Sequence, residues 1–301
     1  MTGTRSAMIP IQADAADLSR KPRSLWTDVL HQLLRNKGAL AGAAIFVLIV
    51  IMAVAAPLIA PYAPYKLSVE DSLLPPNAQH WMGTDQFGRD ILTRVIYGAR
   101  TSVAMGFVAV AISVTTGTVL GLISGYYRGA IDMVVMRAVD VMLAFPGILL
   151  ALVIIAILGP NLSSAMIAVG ISGMPLFIRV VRGSVLSLRE LEYLEAARVV
   201  GSRDSRILLR HVLPNVLAPV IVLATLGIPG AIISGAALSF LGLGVKPPTA
   251  DWGAMLSEGR NFINAAWWLS TFPGLAIVVI VMAINLFGDG MRDALDPRLR
   301  L

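Results

Sequence analysis

The segment from Glu195 to Gly201 is polar and lies between two long apolar stretches, so its residue types suggest a dedicated task. Ser187 and Glu190 have the spacing of a capping box, which predicts that a helix begins there. Gly201 tolerates the left-handed conformation that follows a helix, and it is therefore the predicted end of that helix. The expected chemistry is protein recognition, because no residue in the segment forms a catalytic group with a neighbour.

A second short helix is predicted after the glycine, capped by Ser202 and ended by Pro214. We call the resulting helix-turn-helix, within a loop of about residues 183–214, the knob. Glu195 and Arg198 are three residues apart on one helical face, so they can pair with each other or be held by a partner protein. The alternative interpretation is a solvated amphipathic loop helix without a partner.

Catalytic and metal-binding patterns are absent from the sequence. It contains no H-E-x-x-H, G-x-S-x-G or G-x-x-x-x-G-K-[ST] motif, which argues against hydrolytic enzymes and against ATP binding by this chain. There are no cysteines, and the three histidines, His31, His80 and His211, are far apart. We therefore expect no catalytic residue, no metal site and no cofactor in this chain.

Composition identifies the class of protein. Hydrophobic residues make up 56% of the 301 residues and charged residues only 14%, with a mean hydropathy of +0.77. So much apolar surface must face lipid, which predicts an all-α integral membrane protein. The net charge of +6 is explained by membrane orientation, and no soluble basic face for nucleic acid is evident.

Charge-free stretches of about 20 residues predict six transmembrane helices. The spans are expected at 38–59, about 101–125, two on either side of the turn signal Gly159-Pro160-Asn161 between Asp140 and Arg179, about 214–243 and about 266–287. Pro146, Pro175 and Pro229 can kink these helices. The expected organisation is a tail with an interfacial helix at 1–37, a first span at 38–59, an outer loop at 60–100, a five-helix core at 101–288 and a tail at 289–301.

Basic residues set the predicted orientation. With the N-terminus inside, the inner segments hold 18 of the 24 Lys and Arg residues, so both termini and the knob are predicted to be cytoplasmic. Residues 1–23 read as disordered. The next residues predict a helix on the inner leaflet, with apolar residues on one face: Leu25, Trp26, Val29, Leu30, Leu33 and Leu34.

Small residues recur every four positions in the second span, at Ser113, Gly117, Gly121 and Gly125. Such a stripe lets another helix approach closely, so a helix-packing face is predicted. Room for a solute in a pore is the alternative.

The outer loop contains the sequence GTD-x-x-GRD, formed by Gly83, Thr84, Asp85, Gly88, Arg89 and Asp90. We interpret it as a turn in which Asp85, Arg89 and Asp90 pair with one another, and contact with a protein outside remains the alternative. Arg137 and Asp140 are likewise expected to pair with each other, or else to contribute to a contact surface.

Two of these patterns resemble a known family. The knob reads E-A-A-x-x-x-G followed by L-P, at Glu195, Ala196, Ala197, Arg198, Gly201, Leu213 and Pro214, and it resembles the loop by which permease subunits of ABC importers engage their ATPases. GTD-x-x-GRD, together with Asp251-Trp252-Gly253, resembles a signature of the C-type permease in the peptide and nickel branch. The resemblance covers the chain from about residue 80 onward.

The resemblance implies a type I ABC importer permease fold in a bacterial inner membrane. It implies a second permease subunit, two ATP-binding subunits that carry ATP and Mg²⁺, and an extracytoplasmic solute-binding protein, with a dipeptide or oligopeptide as the expected solute and glutathione or nickel as alternatives. An ion-coupled secondary carrier is the distant alternative. It normally buries ionisable residues at mid-membrane, and the predicted span interiors contain none.

Overall fold

The computed structural model describes residues 25–295, with side chains from Leu30 onward, and this part of the chain is helical apart from its loops. Within it, the only β pairing is an isolated bridge between Thr84 and Asp90. The all-α class is therefore confirmed. The predicted disorder of residues 1–23 lies outside the described residues.

The N-terminal part consists of α1 (Leu25–Arg35), α2 (Lys37–Val54) and the short α3 (Ala56–Ile59). The side chain of Asn36 caps α2 by accepting from the N–H of Ala39. Pro57 has no N–H to donate to the carbonyl of Ala53, four residues earlier, and the predicted first span divides at Ala55. The guanidinium of Arg100 replaces the missing donor, because it donates hydrogen bonds to the carbonyls of Ala53 and Val54.

The second span is longer than predicted. α4 (Ile91–Tyr127) is one helix of 37 residues, about 55 Å long at 1.5 Å per residue. The predicted boundary between the outer loop and the helix at residues 100–101 was wrong, because nothing at this junction breaks a helix. The outer loop therefore ends at Asp90, whose carboxylate caps α4 by accepting from the N–H of Thr93.

The third span is bent. α5 (Gly129–Leu143) and α6 (Gly147–Leu158) meet at 100° across Ala144–Pro146. Pro146 lies immediately before α6, where its missing N–H and fixed φ suit a break. The predicted turn at 159–161 is confirmed: α7 (Leu162–Arg189) begins after Asn161, whose side chain accepts from the N–H of Ser164.

The remaining helices form the knob and the last two spans. A π turn at residues 208–212 joins the second knob helix to the helix of the fifth span. The helix of the sixth span runs beyond the predicted end at 287, so the expected tail at 289–301 begins inside a helix. Within residues 25–295, five stretches are long and apolar enough to cross a membrane, and six when the bent pair counts as one span. The helices are α8 (Glu192–Val199), α9 (Asp204–Ile207), α10 (Leu213–Phe240), α11 (Trp252–Gly259) and α12 (Trp268–Leu295).

The packing of α4 against α7 forms the centre of the bundle, and the glycine stripe lies in this contact. A Cβ atom placed on Gly121 would lie 2.7 Å from Cβ of Val181, and Gly117 and Gly125 face α7 in the same way. Ser113, in the same stripe, donates from Oγ to the carbonyl of Gly170 at 2.6 Å. Small residues thus bring the two helix backbones together. We call the end of the bundle that carries α8 and α9 the knob end, and the end that carries residues 60–90 the loop end.

Substitution of Gly121 tests this packing. In Gly121→Ala the new methyl group would meet the stiff Val181 side chain and the carbonyl of Ile178 at 2.9 Å, so the helices must separate at a cost of about 1–3 kcal/mol. We expect a lower melting temperature of the purified protein in detergent. Gly183→Ala is the matched control, because Gly183 lies exposed in α7 with no atom near its Cβ position. Equal melting temperatures for the two variants would contradict this account.

Candidate functional site

Gly201 ends the first knob helix, as its position predicts. Its φ is +82°, and its N–H donates to the carbonyl of Arg198 at 2.9 Å. The next N–H, of Ser202, donates to the carbonyl of Ala197 at 3.1 Å. These two bonds form a Schellman motif, which satisfies carbonyls at the helix end and turns the chain sharply.

Other local predictions for the knob were wrong. Ser187 lies inside α7 and donates from Oγ to the carbonyl of Gly183, so no capping box starts a helix there. Ser202 does not cap α9, whose N-cap is Arg203 without a side-chain hydrogen bond. Pro214 does not end a helix, because it lies in the first turn of α10, where a missing N–H is tolerated.

The knob is fixed to the bundle by apolar and polar contacts. Leu194 of α8 and Ile207 of α9 are fully buried in a cluster with valines of α7 and α10. Tyr126, near the end of α4, donates from its hydroxyl to Oδ1 of Asp204 at 2.6 Å. The guanidinium carbon of Arg198 lies 5.2 Å from the centre of the Tyr126 ring, within the range of a cation–π contact. The knob is therefore held by the spans that it follows and precedes.

The outer face of the knob is exposed and partly apolar. Glu195, Ala196 and Arg198 are exposed, Ala197 is half-buried, and no ion pair joins Glu195 to Arg198. Val199 and Val200 are 83% and 84% exposed. The L-P pair is divided, with Leu213 half-buried and Pro214 exposed. Apolar side chains grouped on a polar projection are typical of a surface that contacts another protein.

Ion pairs connect α5 to α7 at the knob end. Arg182 donates to both carboxylate oxygens of Asp132, at 2.5 and 2.6 Å. Arg179 donates to Asp140 at 2.7 Å, and both side chains are about half exposed. The predicted pair between Arg137 and Asp140 is therefore wrong, because Asp140 contacts a residue of another helix.

At the loop end, the GTD-x-x-GRD segment folds around Asp85. Its Oδ1 accepts from the N–H groups of Phe87 and Arg89, and its Oδ2 accepts from Nε of Arg89 at 2.6 Å. Gly88 has φ +71°, and any side chain there would overlap the backbone of Ser68. The turn is thus a closed unit in which a buried carboxylate is saturated with donors.

A second acidic residue links this turn to a distant helix. Oε2 of Glu258, in α11, accepts from Nη2 of Arg89 and from Nη2 of Arg94, each at 3.0 Å. Nη1 of Arg94 lies 3.5 Å from Oδ2 of Asp85. Two cations and two anions therefore balance in one cluster, in which three members are buried and Glu258 is partly exposed; we call it the four-charge cluster: Asp85, Arg89, Arg94 and Glu258.

Asp90 does not join that cluster, which corrects the predicted three-residue pairing. Its Oδ2 caps α4, and its Oδ1 lies 3.0 Å from Nδ1 of His80. Thr84 is buried, and its carbonyl accepts from Nε1 of Trp268 at the start of α12. The outer loop is therefore attached to α4, α11 and α12 together.

Asp251-Trp252-Gly253 lies beside the four-charge cluster. Asp251 caps α11 through the N–H of Ala254 and accepts from the Ser102 hydroxyl at 3.0 Å. Burial raises the pKa of the Asp251 carboxyl, and these donors partly offset that effect. Trp252 is fully buried and donates from Nε1 to the carbonyl of Val95. These contacts attach α11 to the loop-end part of α4.

The roles of Arg94, Glu258 and Tyr126 were not predicted from the sequence. Arg94 and Glu258 are 164 residues apart, so no local spacing could join them. Arg94 lies among the apolar positions that follow the motif, and a charged residue at such a position could have indicated a buried ion pair. Within residues 25–295, no three His, Asp or Glu side chains come together in a way that could hold a metal ion.

Two family models match the chain. The model described as the binding-protein-dependent transport system inner membrane component matches residues 117–301. The chain belongs to this family. A second model, described as the N-terminal TM domain of oligopeptide transport permease C, matches residues 24–76.

Curated relatives match this permease over nearly its whole length. A dipeptide transport system permease of Alkalihalophilus pseudofirmus is 49% identical over 277 residues, 92% of this chain and 91% of the relative. A protein of the same description from Haemophilus influenzae is 45% identical and covers 94% and 98% of the two chains. A glutathione transport system permease of Escherichia coli is 45% identical and covers 92% of each.

A solved structure shares the fold of the permease. It is a chain of the MetNI methionine ABC transporter, with a TM-score of 0.56 and 18% identity. The match covers 68% of this chain and 98% of that chain. At this identity the likeness supports the fold alone, and it confirms the ABC transporter permease architecture expected from the sequence.

Removal of Glu258 tests the four-charge cluster. In Glu258→Gln, Arg89 and Arg94 lose their shared anion, and an uncompensated buried cation destabilises by about 3 kcal/mol or more. We expect a clear drop in the melting temperature of the detergent-purified permease. Glu190→Gln is the control, because Glu190 pairs with Arg128 at the exposed surface and such pairs contribute about 0–1 kcal/mol. A Glu258→Gln protein as stable as this control would refute the structural role of the cluster.

Proposed function

We propose that this chain is one permease subunit of an ATP-driven importer for dipeptides. The observation that carries the proposal is the 49% identity to a dipeptide transport system permease over more than nine-tenths of both chains. A second relative of the same description, at 45% identity, supports it. The sequence has no ATP-binding motif, so the energy for transport comes from separate ATPase subunits.

The knob is the proposed contact with an ATPase subunit. Its exposed face combines Glu195 and Ala196 with the apolar Val199 and Val200, and small alanines let a partner approach the helix backbone. Tyr126 of α4 contacts Arg198 of α8 and donates to Asp204 of α9, and α8 follows α7 directly. Closure of the ATPase dimer on ATP binding would displace the knob. Because the knob contacts both α4 and α7, its displacement would move both spans and thereby change the side of the membrane to which the solute path is open.

The remaining partners and the orientation belong to the same proposal. A second permease subunit completes the pore, and two ATP-binding subunits lie on the cytoplasmic side. A binding protein delivers solute to the loop end, as the family description "binding-protein-dependent" supports. The excess of Lys and Arg on the knob side favours cytoplasmic termini and a cytoplasmic knob.

Glutathione is the second candidate solute. Glutathione transport system permeases from two bacteria are 41% and 45% identical to this chain over more than nine-tenths of its length. Glutathione is a γ-linked tripeptide, so it is larger than a dipeptide and carries one more carboxylate.

Uptake measurements separate the two solutes. The permease is expressed with its partner subunits and binding protein in a strain that lacks peptide importers, and uptake of a labelled dipeptide is followed with excess unlabelled glutathione. We expect ATP-dependent dipeptide uptake that glutathione does not suppress. Suppression together with direct glutathione uptake would favour the second candidate, and uptake that persists without the ATPase subunits would contradict an ABC importer.

The left-handed turn of the knob gives a variant test of coupling. Gly201→Asp should abolish dipeptide uptake without preventing membrane insertion, because it places a charge on the proposed contact, at a turn whose φ of +82° aspartate and asparagine can both adopt. Gly201→Asn is the matched variant, since asparagine tolerates this conformation and is uncharged. We expect Gly201→Asn to retain most of the dipeptide uptake. Normal uptake by Gly201→Asp would contradict the proposed coupling through the knob.

A further inference from the structure

A cleft of about 440 Å³ lies between α4, α7 and α10, beside the start of α6. Its volume falls in the range of about 300–1,000 Å³ that is usual for small-molecule sites. The cleft lies within the spans, away from both the knob and the four-charge cluster. None of the functional residues described above lines it.

The lining of the cleft carries no charged side chain. Its polar groups are the hydroxyls of Ser113, Ser172 and Ser234, and the rest of the wall is apolar or glycine. Ser113 and Ser172 already donate to carbonyls of α7. A wall of this kind can surround a peptide without binding its charged termini tightly, and weak binding is what a path must offer if the solute is to leave again.

Glycines open the wall of the cleft at two points. A Cβ atom at Gly230 of α10 or at Gly147 of α6 would meet no atom within 4 Å. These glycines therefore differ from Gly117, Gly121 and Gly125, which are filled by the neighbouring helix. Both glycines are exposed in this single subunit, so a side chain at either position would meet no other atom of this chain.

We propose that this cleft is the part of the solute path contributed by this subunit, and that Gly230 and Gly147 set the size of peptide that passes. The proposal rests on the proposed function, because it takes the solute to be a small peptide. Since the lining is uncharged, discrimination at this wall is by size rather than by charge. Larger residues at the two glycines would occupy part of the cleft that both of them line.

A series of substitutions at Gly230 tests the size limit. We expect Gly230→Leu to lower uptake of a tryptophan-containing dipeptide about 10-fold while uptake of glycylglycine stays within about 2-fold. Gly230→Trp should stop both. Gly183→Leu and Gly183→Trp are the controls, because Gly183 is equally open but lies in α7 outside the cleft. Equal effects on both dipeptides, or loss of the second permease from the purified Gly230→Trp complex, would overturn the proposal.

Thiol labelling tests the cleft without reference to the solute. The chain has no cysteine, so Gly230→Cys provides a single thiol, and Met282→Cys, which is exposed on α12 and lies outside the cleft, is the control. A charged, water-soluble thiol reagent should modify Gly230→Cys in the assembled complex and not Met282→Cys. If Gly230→Cys stays unreactive while the wild type imports dipeptide, the path proposal fails and the importer function stands. If no dipeptide enters but Gly230→Cys reacts, the solute assignment fails and the water-filled path stands.

Discussion

The close contact between α4 and α7 is the constraint on which the rest of the structure depends. It is made possible by glycines that leave no room for a side chain between the two backbones. α4 extends from the loop end, where Asp90 caps it, to the knob end, where Tyr126 holds Asp204. α7 leads directly into the knob. Both ends of the bundle are therefore connected through one pair of helices.

Much of the fold could be predicted because its signals are local. Apolar runs locate the spans, the turn at 159–161 separates two of them, and Gly201 ends the first knob helix through its own backbone conformation. Boundaries were less accurate where two elements merge. α4 continues through Arg100 because no residue there breaks a helix, and α7 continues through Ser187 because a cap signal inside a stable helix has no effect on it.

The charged contacts could not be predicted, since their partners are distant in the sequence. Asp140 pairs with Arg179 rather than with its neighbour Arg137, and Glu258 reaches across 164 residues to Arg94. A motif shows which residue types are needed, but the tertiary fold decides which of them meet. The 100° bend between α5 and α6 is a similar case, because Pro146 predicts a break without its angle.

The two ends of the molecule have different physical characters. The four-charge cluster is largely buried and balanced, so it resists rearrangement, whereas the knob presents exposed apolar side chains around a sharp turn. A stable loop end and an accessible knob suit the proposed subunit, in which solute enters at the loop end and the ATPase moves the knob. The spans between them contribute an uncharged cleft.

Crosslinking from the knob tests the central claim most directly. The natural absence of cysteine allows a single one at the exposed Ala196 in the fully assembled transporter, paired with cysteines placed one at a time over the ATPase surface. Coupling through the knob predicts a disulfide to one defined patch, with a yield that changes when ATP is added. Absence of any crosslink in a correctly assembled complex would contradict the account, and would leave the knob as a solvated loop.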